Sequence, residues 1–203
     1  MGGTAKLEGK NLDAALKMLH DVCHILDQEG IPYSLDAGTL LGVMRENRLL
    51  PWDTDMDLAV SSNNAHKLKN IRRLIHKAGY LTRLRITYKD LGPVKARSYR
   101  LMRIYTRRFC FFKKEQLMDI FFKYKQGNLY YWVVDSHNPI LQSCEAKHLD
   151  MLEQHSFNGD NYSIPKDYDG YLTHHYGAWR TVRKDWNFRL EDGCNCSAEQ
   201  PFE

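Results

Sequence analysis

Asp36-Ala37-Gly38-Thr39-Leu40-Leu41-Gly42-Val43-Met44-Arg45-Glu46-Asn47-Arg48-Leu49-Leu50-Pro51-Trp52-Asp53-Thr54-Asp55-Met56-Asp57 is the stretch that decides how the chain reads. It closes on three aspartates spaced two apart, Asp53, Asp55 and Asp57, which run directly into the apolar Leu58-Ala59-Val60. In a strand, residues two apart share a face. Asp55 and Asp57 are therefore expected side by side at the mouth of a core strand. Like charges that close repel unless a cation neutralises them. Hard divalent ions such as Mg²⁺ or Mn²⁺ take oxygen ligands and leave positions open for substrate phosphates. The competing readings are a solvent loop or a calcium loop. No glycine follows the triplet and no glutamate closes it, which argues against an EF-hand.

Two features outside the triplet bear on it. Asp119 stands alone in the apolar run Leu117-Met118-Asp119-Ile120-Phe121-Phe122. A carboxylate buried there needs a cation or a donor, and a neighbouring strand would bring it beside Asp55 and Asp57. Upstream, Gly38-Thr39 marks a strand-to-helix break, where backbone N–H groups can approach a phosphate and the helix N-terminus favours negative charge. Asp55, Asp57 and Asp119 are thus the candidate metal ligands. Asp53 and these three are the candidate catalytic carboxylates.

Working outward, apolar residues Leu12, Ala15, Leu16, Leu19, Val22, Cys23 and Leu26 predict a helix over 12–28, with Asn11 as its cap and Gly30 at its end. A strand is expected at 33–36, a helical turn through Leu40, Leu41 and Met44, a strand at 56–60, and a helix over 64–78 capped by Ser61, Ser62 or Asn63. Strands follow at 80–88, 95–106 and 117–124. The turn Gln126-Gly127-Asn128 predicts a returning hairpin strand at 129–134, and Asn158-Gly159-Asp160 predicts another hairpin. Pro165 is placed in the first turn of a helix reaching Tyr176. This order implies an α+β, α/β-like domain with a mixed β-sheet and flanking helices.

The 203 residues, 43% hydrophobic and 27% charged, fit a single globular domain over 1–203, with a core of about 12–186 and a tail of 187–203. A net charge of +4 suits a phosphorylated substrate but is too small to call for nucleic acid. Five cysteines, Cys23, Cys110, Cys144, Cys194 and Cys196, are odd in number and scattered, so a disulfide framework is not expected. Cys194 and Cys196 make a C-x-C pair that would need two further ligands, unplaced in the sequence, to bind zinc. No run approaches a membrane span or a signal-peptide core. Met1-Gly2-Gly3-Thr4 begins like a myristoylation site, but Lys6 stands where Ser or Thr is required. The expected location is cytoplasmic, or the Golgi lumen if an anchor precedes this chain.

The segment resembles the LicD family, which includes the fukutin-related proteins. The resemblance lies in Gly38-Thr39-Leu40-Leu41-Gly42, in Arg45, and in Pro51-Trp52-Asp53-Thr54-Asp55-Met56-Asp57. Met118-Asp119-Ile120-Phe121 resembles the family's third acidic strand. Ile164-Pro165, Tyr171-Leu172 and Tyr176-Gly177-Ala178-Trp179 resemble its C-terminal element. Family members often carry His before the Gly-Thr run, where this chain has Asp36-Ala37. The resemblance implies a nucleotidyltransferase fold and transfer of phosphocholine, or a related phosphoalcohol such as ribitol phosphate. The donor would be a CDP-linked alcohol. The acceptor would be a glycan of lipopolysaccharide, teichoic acid or glycoprotein, and CMP would leave. Two alternatives stand beside it: a true nucleotidyltransferase moving NMP from an NTP to a small molecule or RNA, and a binding module that has lost catalysis.

Gly38, Thr39, Gly42, Arg45 and Trp52 are the candidate substrate-binding residues. Arg45 would clamp a pyrophosphate or else pair with Glu46. Lys95, Arg97, Arg100, Arg103, Arg107, Arg108, Lys113 and Lys114 form a basic stretch, in which Arg97, Tyr99, Leu101, Arg103 and Tyr105 are expected to share a strand face. His174 and His175 are expected to pack or face solvent rather than move protons. Trp52 and Trp179 would wall a pocket or fill the core.

Overall fold

The computed structural model describes residues 6–108, 112–135 and 137–196. Met1-Gly2-Gly3-Thr4 and Cys110 lie outside these residues, as do the side chains of Arg108 and Lys113.

Helix α1 (Lys10–Gln28) buries Ala15, Met18, Leu19, Val22, Cys23, Ile25 and Leu26 along one face. It begins two residues earlier than its apolar pattern indicates. Gly9, not Asn11, is the N-cap, and Asn11 instead donates its side-chain amide to Lys6 O at 3.1 Å. Strand β1 (Tyr33–Asp36) leads into α2 (Ala37–Glu46), and β2 (Met56–Ser61) follows the acidic triplet. The helix expected from 64 begins as a 3₁₀ turn over Ser62–Lys67, with the Ser61 hydroxyl accepting from Asn63 N–H at 3.3 Å, and becomes α3 (Leu68–Lys77).

Strands β3 (Leu81–Ile86), β4 (Tyr99–Arg108) and β5 (Phe112–Gln126) come next, then β6 (Leu129–Val134) and β7 (Ile140–Glu145). Arg97 falls in the turn before β4 with φ of 67°, so it does not share the strand face predicted for it. Hairpin β8 (Leu152–Phe157) and β9 (Asp160–Pro165) turns at the expected Asn-Gly pair. Pro165 closes β9 instead of opening a helix. Helix α4 (Tyr168–Tyr176) starts after it, with Asp167 as N-cap accepting from Gly170 N–H. A short α5 (Phe188–Glu191) completes the order.

The sheet runs β1-β2-β5-β4-β3, with β6 on the far end of β5 and β7 on β6. Only β2 and β5 are parallel among these pairs. The long β5 is central: its first half lies between β2 and β4, and its last residues pair with β6. Helices α1 and α3 contribute Leu19, Val22, Ile71 and Ile75 to the same core that takes in Leu58, Ile120 and Phe122 from the sheet. The described part of the segment after 186 packs against the sheet. Cys194 O accepts from Ser143 N–H at 2.8 Å, and Cys196 N–H donates to Leu141 O at 3.0 Å, so it docks along β7.

Candidate active site

Strand register sets one row of charges across four strands. Asp36 of β1 pairs with Asp57 of β2, Asp57 with Asp119 of β5, and Asp119 with Arg103 of β4. Asp119 is thus beside Asp57 on an adjacent strand, on one sheet face. The apolar run around Asp119 makes β5 a core strand, and the parallel register sets Asp57, near the start of β2, beside Asp119 in the middle of β5.

Each end of the row is neutralised within the protein. Asp36 is buried; its carboxylate takes Lys123 Nζ at 2.8 Å and the Tyr171 hydroxyl at 2.6 Å. Lys123 is itself buried, donates to the Tyr171 oxygen at 2.7 Å and sits 3.7 Å from the Trp132 ring centre. Burial alone would push the Asp36 carboxyl up, but Lys123 and Tyr171 outweigh it and hold it below the usual range. At the other end, Arg103 Nε lies 3.5 Å from Asp119 Oδ2.

The middle is not neutralised. Among the described residues, no donor or cationic side chain pairs with the Asp57 carboxylate. Burial holds its pKa well above the ordinary value, and the charges of Asp55, Asp53, Asp119 and Asp36 add to this. Burial also raises Asp55, against Thr54, Arg103 and Gln116. It lifts Asp53 to about 6, with help from the Asp55 charge. Asp119 rises to about 7 by burial and by Asp55, although Arg103 and Arg100 oppose the shift. Gln116 bridges two of the carboxylates, donating to Asp55 Oδ2 at 2.9 Å and Asp119 Oδ1 at 3.2 Å. Four carboxylates crowded with so little positive charge form a donor set that fits a hard divalent cation. Asp55 precedes β2 rather than opening it, so it reaches the group from the loop.

The residues before the triplet hold it in place. The Thr39 hydroxyl accepts from Asp57 N–H at 2.7 Å and so fixes the start of β2. A Cβ on Gly38 would run into Asp53 Oδ2, and one on Gly42 would sit 2.6 Å from Arg48 O. Gly38 therefore makes room for a carboxylate, and Gly42 lets the chain return toward Leu50. Ala37 adopts φ of 42°, a left-handed conformation that non-glycine residues rarely take. Asp36 occupies the N-cap of α2, but its side chain makes no cap hydrogen bond because Lys123 and Tyr171 hold it. The first turn of α2 thus presents uncapped amides beside Ala37 and Gly38, both of which line a cavity of about 380 Å³.

Asp53, Asp57, Arg45, Trp52 and Trp179 line the same cavity. Arg45 both lines it and pairs with Glu46, at 2.7 Å from its Nη2, while its Nη1 donates to Trp179 O at 3.2 Å. Thr39 and Gly42 are placed behind the lining instead. Trp132, Tyr176 and Trp186 also line it, and Lys184 Nζ lies 5.1 Å over the Trp52 ring.

Against this geometry stands a sequence match: residues 30–167 fit the profile described as LicD/FKTN/FKRP, nucleotidyltransferase domain. The chain belongs to the LicD family. The matched residues include the Gly-Thr turn, the acidic triplet and Asp119, and the fold is the mixed-sheet nucleotidyltransferase fold that this description names. Curated relatives that the chain is similar to include uncharacterized proteins of Rickettsia prowazekii (strain Madrid E), 23% identical over 180 residues, and of Rickettsia typhi (strain ATCC VR-144 / Wilmington), 21% identical over 174 residues. Each alignment covers 86% of this chain, but 58% and 49% of the two relatives, so the chain spans about half their length.

Among solved structures, the chain is similar to the lincosamide antibiotic adenylyltransferase LnuA bound to lincomycin, with TM-score 0.46 and 11% identity over 78% of this chain and 84% of that one. It is also similar to ANT(2")-Ia in complex with adenylyl-2"-tobramycin, with TM-score 0.41 and 11% identity over 87% and 83% of the two chains.

Sequence reasoning missed Asp36, Lys123 and Gln116 as parts of this LicD site. For Lys123 the sequence gives only a place, four residues beyond Asp119 on the same face of one strand, and that spacing does not name Asp36 as its partner. Gln116 carries no such signal, because a β-bulge in the β4–β5 register decides where it points.

Proposed function

We propose that the chain is a metal-dependent phosphotransferase of the LicD type. It would move a phosphoalcohol, such as phosphocholine or ribitol phosphate, from a CDP-linked alcohol donor to a glycan hydroxyl, releasing CMP. The observation that carries this reading is the Asp57 carboxylate, which has no cation or donor of its own among the described residues, beside Asp55 and Asp119 and in the wall of a cavity with an uncapped helix start. An oxygen-only donor set of this kind suits Mg²⁺ or Mn²⁺. Asp55, Asp57 and Asp119 would hold the ion. When bound, it supplies charge neutralisation to the donor pyrophosphate and to the leaving CMP.

The chain's own groups do the remaining work. Amides in the first turn of α2 receive a donor phosphate, since a helix N-terminus favours an anion. Trp52 and Trp186, both in the cavity lining, offer ring faces to a base or sugar. The acceptor oxygen forms a bond to phosphorus as the bond from phosphorus to the CMP oxygen breaks. The hydroxyl proton passes to a carboxylate, and Asp53 faces the cavity for that role. No helix among the described residues is long and apolar enough to cross a membrane.

The test is a panel of CDP-choline, CDP-ribitol, CDP-glycerol and the common NTPs, each with Mn²⁺ and with EDTA. The reading predicts a rise in melting temperature with one CDP-alcohol and Mn²⁺ that EDTA removes. It also predicts CMP release once a suitable glycan is added. Pyrophosphate release from an NTP would favour nucleotidyl transfer instead. A donor-induced shift that is equal in EDTA would contradict a catalytic cation at these carboxylates.

A further inference from the structure

Beyond the residues that match the family, the end of α4 meets the segment that docks on β7. His175, Asp192 and Cys194 converge there, and their ligand atoms (a ring nitrogen, a carboxylate oxygen and the sulfur) all lie within 4.8 Å of one another. All three residues are buried, at 5%, 6% and 1% exposure. His175 Nδ1 stands 3.0 Å from Asp192 Oδ1. Yet that nitrogen has no hydrogen-bond partner of acceptable geometry, and it is buried. A buried ring nitrogen left without a hydrogen bond beside a carboxylate oxygen and a sulfur fits an ion shared among them.

The surroundings orient the three groups. Gln142 Nε2 donates to Asp192 Oδ2 at 2.7 Å, and Cys194 N–H donates to Asp192 Oδ1 at 2.9 Å. Carboxylate ligands are commonly held by such donors. The His175 ring stacks on Tyr176, with centres 4.7 Å apart, and meets the Tyr171 ring edge-on at 5.5 Å. Gly193 lets the turn press against α4, since a Cβ there would overlap His174 O.

We propose that His175, Asp192 and Cys194 form a binding site for a zinc-class ion. Imidazole, carboxylate and thiolate are zinc donors, with bonds of about 2.0–2.3 Å, and a three-ligand site leaves a fourth position for water. The donor set differs in kind from the all-carboxylate site, which suits a harder ion. Binding releases the Cys194 proton to solvent, since the thiolate is the ligand. The ion joins the two ends of the chain that carries Ala178, Trp179, Lys184 and Trp186 past the cavity, and so fixes one cavity wall. The inference rests on these buried residues and not on the reaction proposed above.

The test uses the full chain, stripped of metal and titrated with Co²⁺ and then Zn²⁺. Expected is a thiolate-to-cobalt charge-transfer band that saturates at one equivalent and is erased by Zn²⁺. Elemental analysis after dialysis should find one zinc per chain. Cys194→Ser loses both signals, while Cys196→Ser and Asp57→Asn keep them. Zinc should also slow proteolytic cleavage between residues 177 and 191. A folded wild-type chain that gives no charge-transfer band overturns the site, as does a band that survives in folded Cys194→Ser. If Cys194→Ser does not fold, His175→Gln serves in its place, and an unchanged band in that variant overturns the proposal equally.

Discussion

Residue by residue, the site is set by which of its charges have a partner and which do not. Lys123 is the sole cationic side chain paired with Asp36 among the described residues, and both are buried. Lys123→Met leaves a buried carboxylate without its partner, which should cost about 3–5 kcal/mol; urea unfolding at neutral pH measures the loss. Gly38→Ala separates packing from chemistry. The atom its Cβ would meet is the free end of the Asp53 side chain, which can rotate away. The variant should keep a near-normal melting temperature and lose turnover, because Asp53 has been displaced from the cavity. Equal turnover in a folded Gly38→Ala protein would remove Asp53 from the mechanism. The acidic triplet was legible in the sequence because three carboxylates run straight into an apolar strand, although only Asp57 lies in that strand and Asp53 and Asp55 reach the group from the loop before it. Lys123 was not legible, because a lysine in a strand reads as solvated until tertiary structure supplies Asp36, Tyr171 and Trp132 around it.

At the scale of elements, the strand β1, helix α2, strand β2 unit was readable almost to the residue. Its breaks fall at Gly38 and at Pro51-Trp52, and its apolar runs are short and bounded. Boundaries failed where tertiary contacts set them. Pro165 finishes β9 because Leu152 pairs with it, and α4 must wait for the Asp167 cap. Strand β7 was missed altogether: Ile140-Leu141-Gln142-Ser143-Cys144-Glu145 has no alternation that separates it from a loop, and its pairing with β6 defines it. The Thr39 hydroxyl joins α2 to the start of β2. Thr39→Val keeps the shape but strands the Asp57 amide, at a cost of about 1–3 kcal/mol. Turnover should fall further than that instability explains, because the carboxylate of Asp57 follows its backbone; comparing kcat with the fraction folded at each temperature separates the two effects.

At the scale of the whole molecule, the carboxylate cluster makes stability depend on pH and on metal. Asp53 and Asp119 titrate near 6 and 7 in the folded protein against 3.8 ordinarily, and Asp57 is raised as well. Between those limits the metal-free folded state holds protons that the unfolded chain has released. Its stability therefore falls as pH rises through this window, and the part owed to Asp53 and Asp119 is complete above it. Below the ordinary value both states are protonated and the penalty is gone. Asp57→Asn removes one crowded charge, so in EDTA the variant should melt above wild type at pH 8. The gap should narrow on acidification and close near the ordinary aspartate pKa; melting curves across this pH range read it directly. A wild type that melts higher than the variant at pH 8 in EDTA would mean that Asp57 satisfies donors instead of crowding its neighbours.

The central claim, that this row of aspartates holds a divalent cation, is tested most directly by Mn²⁺ titration of wild type and Asp57→Asn, with free Mn²⁺ followed by electron paramagnetic resonance. The account predicts that wild type removes Mn²⁺ from solution saturably, while the folded variant binds at least about tenfold more weakly, a loss of about 1.4 kcal/mol. Equal Mn²⁺ binding by the two folded proteins would contradict it.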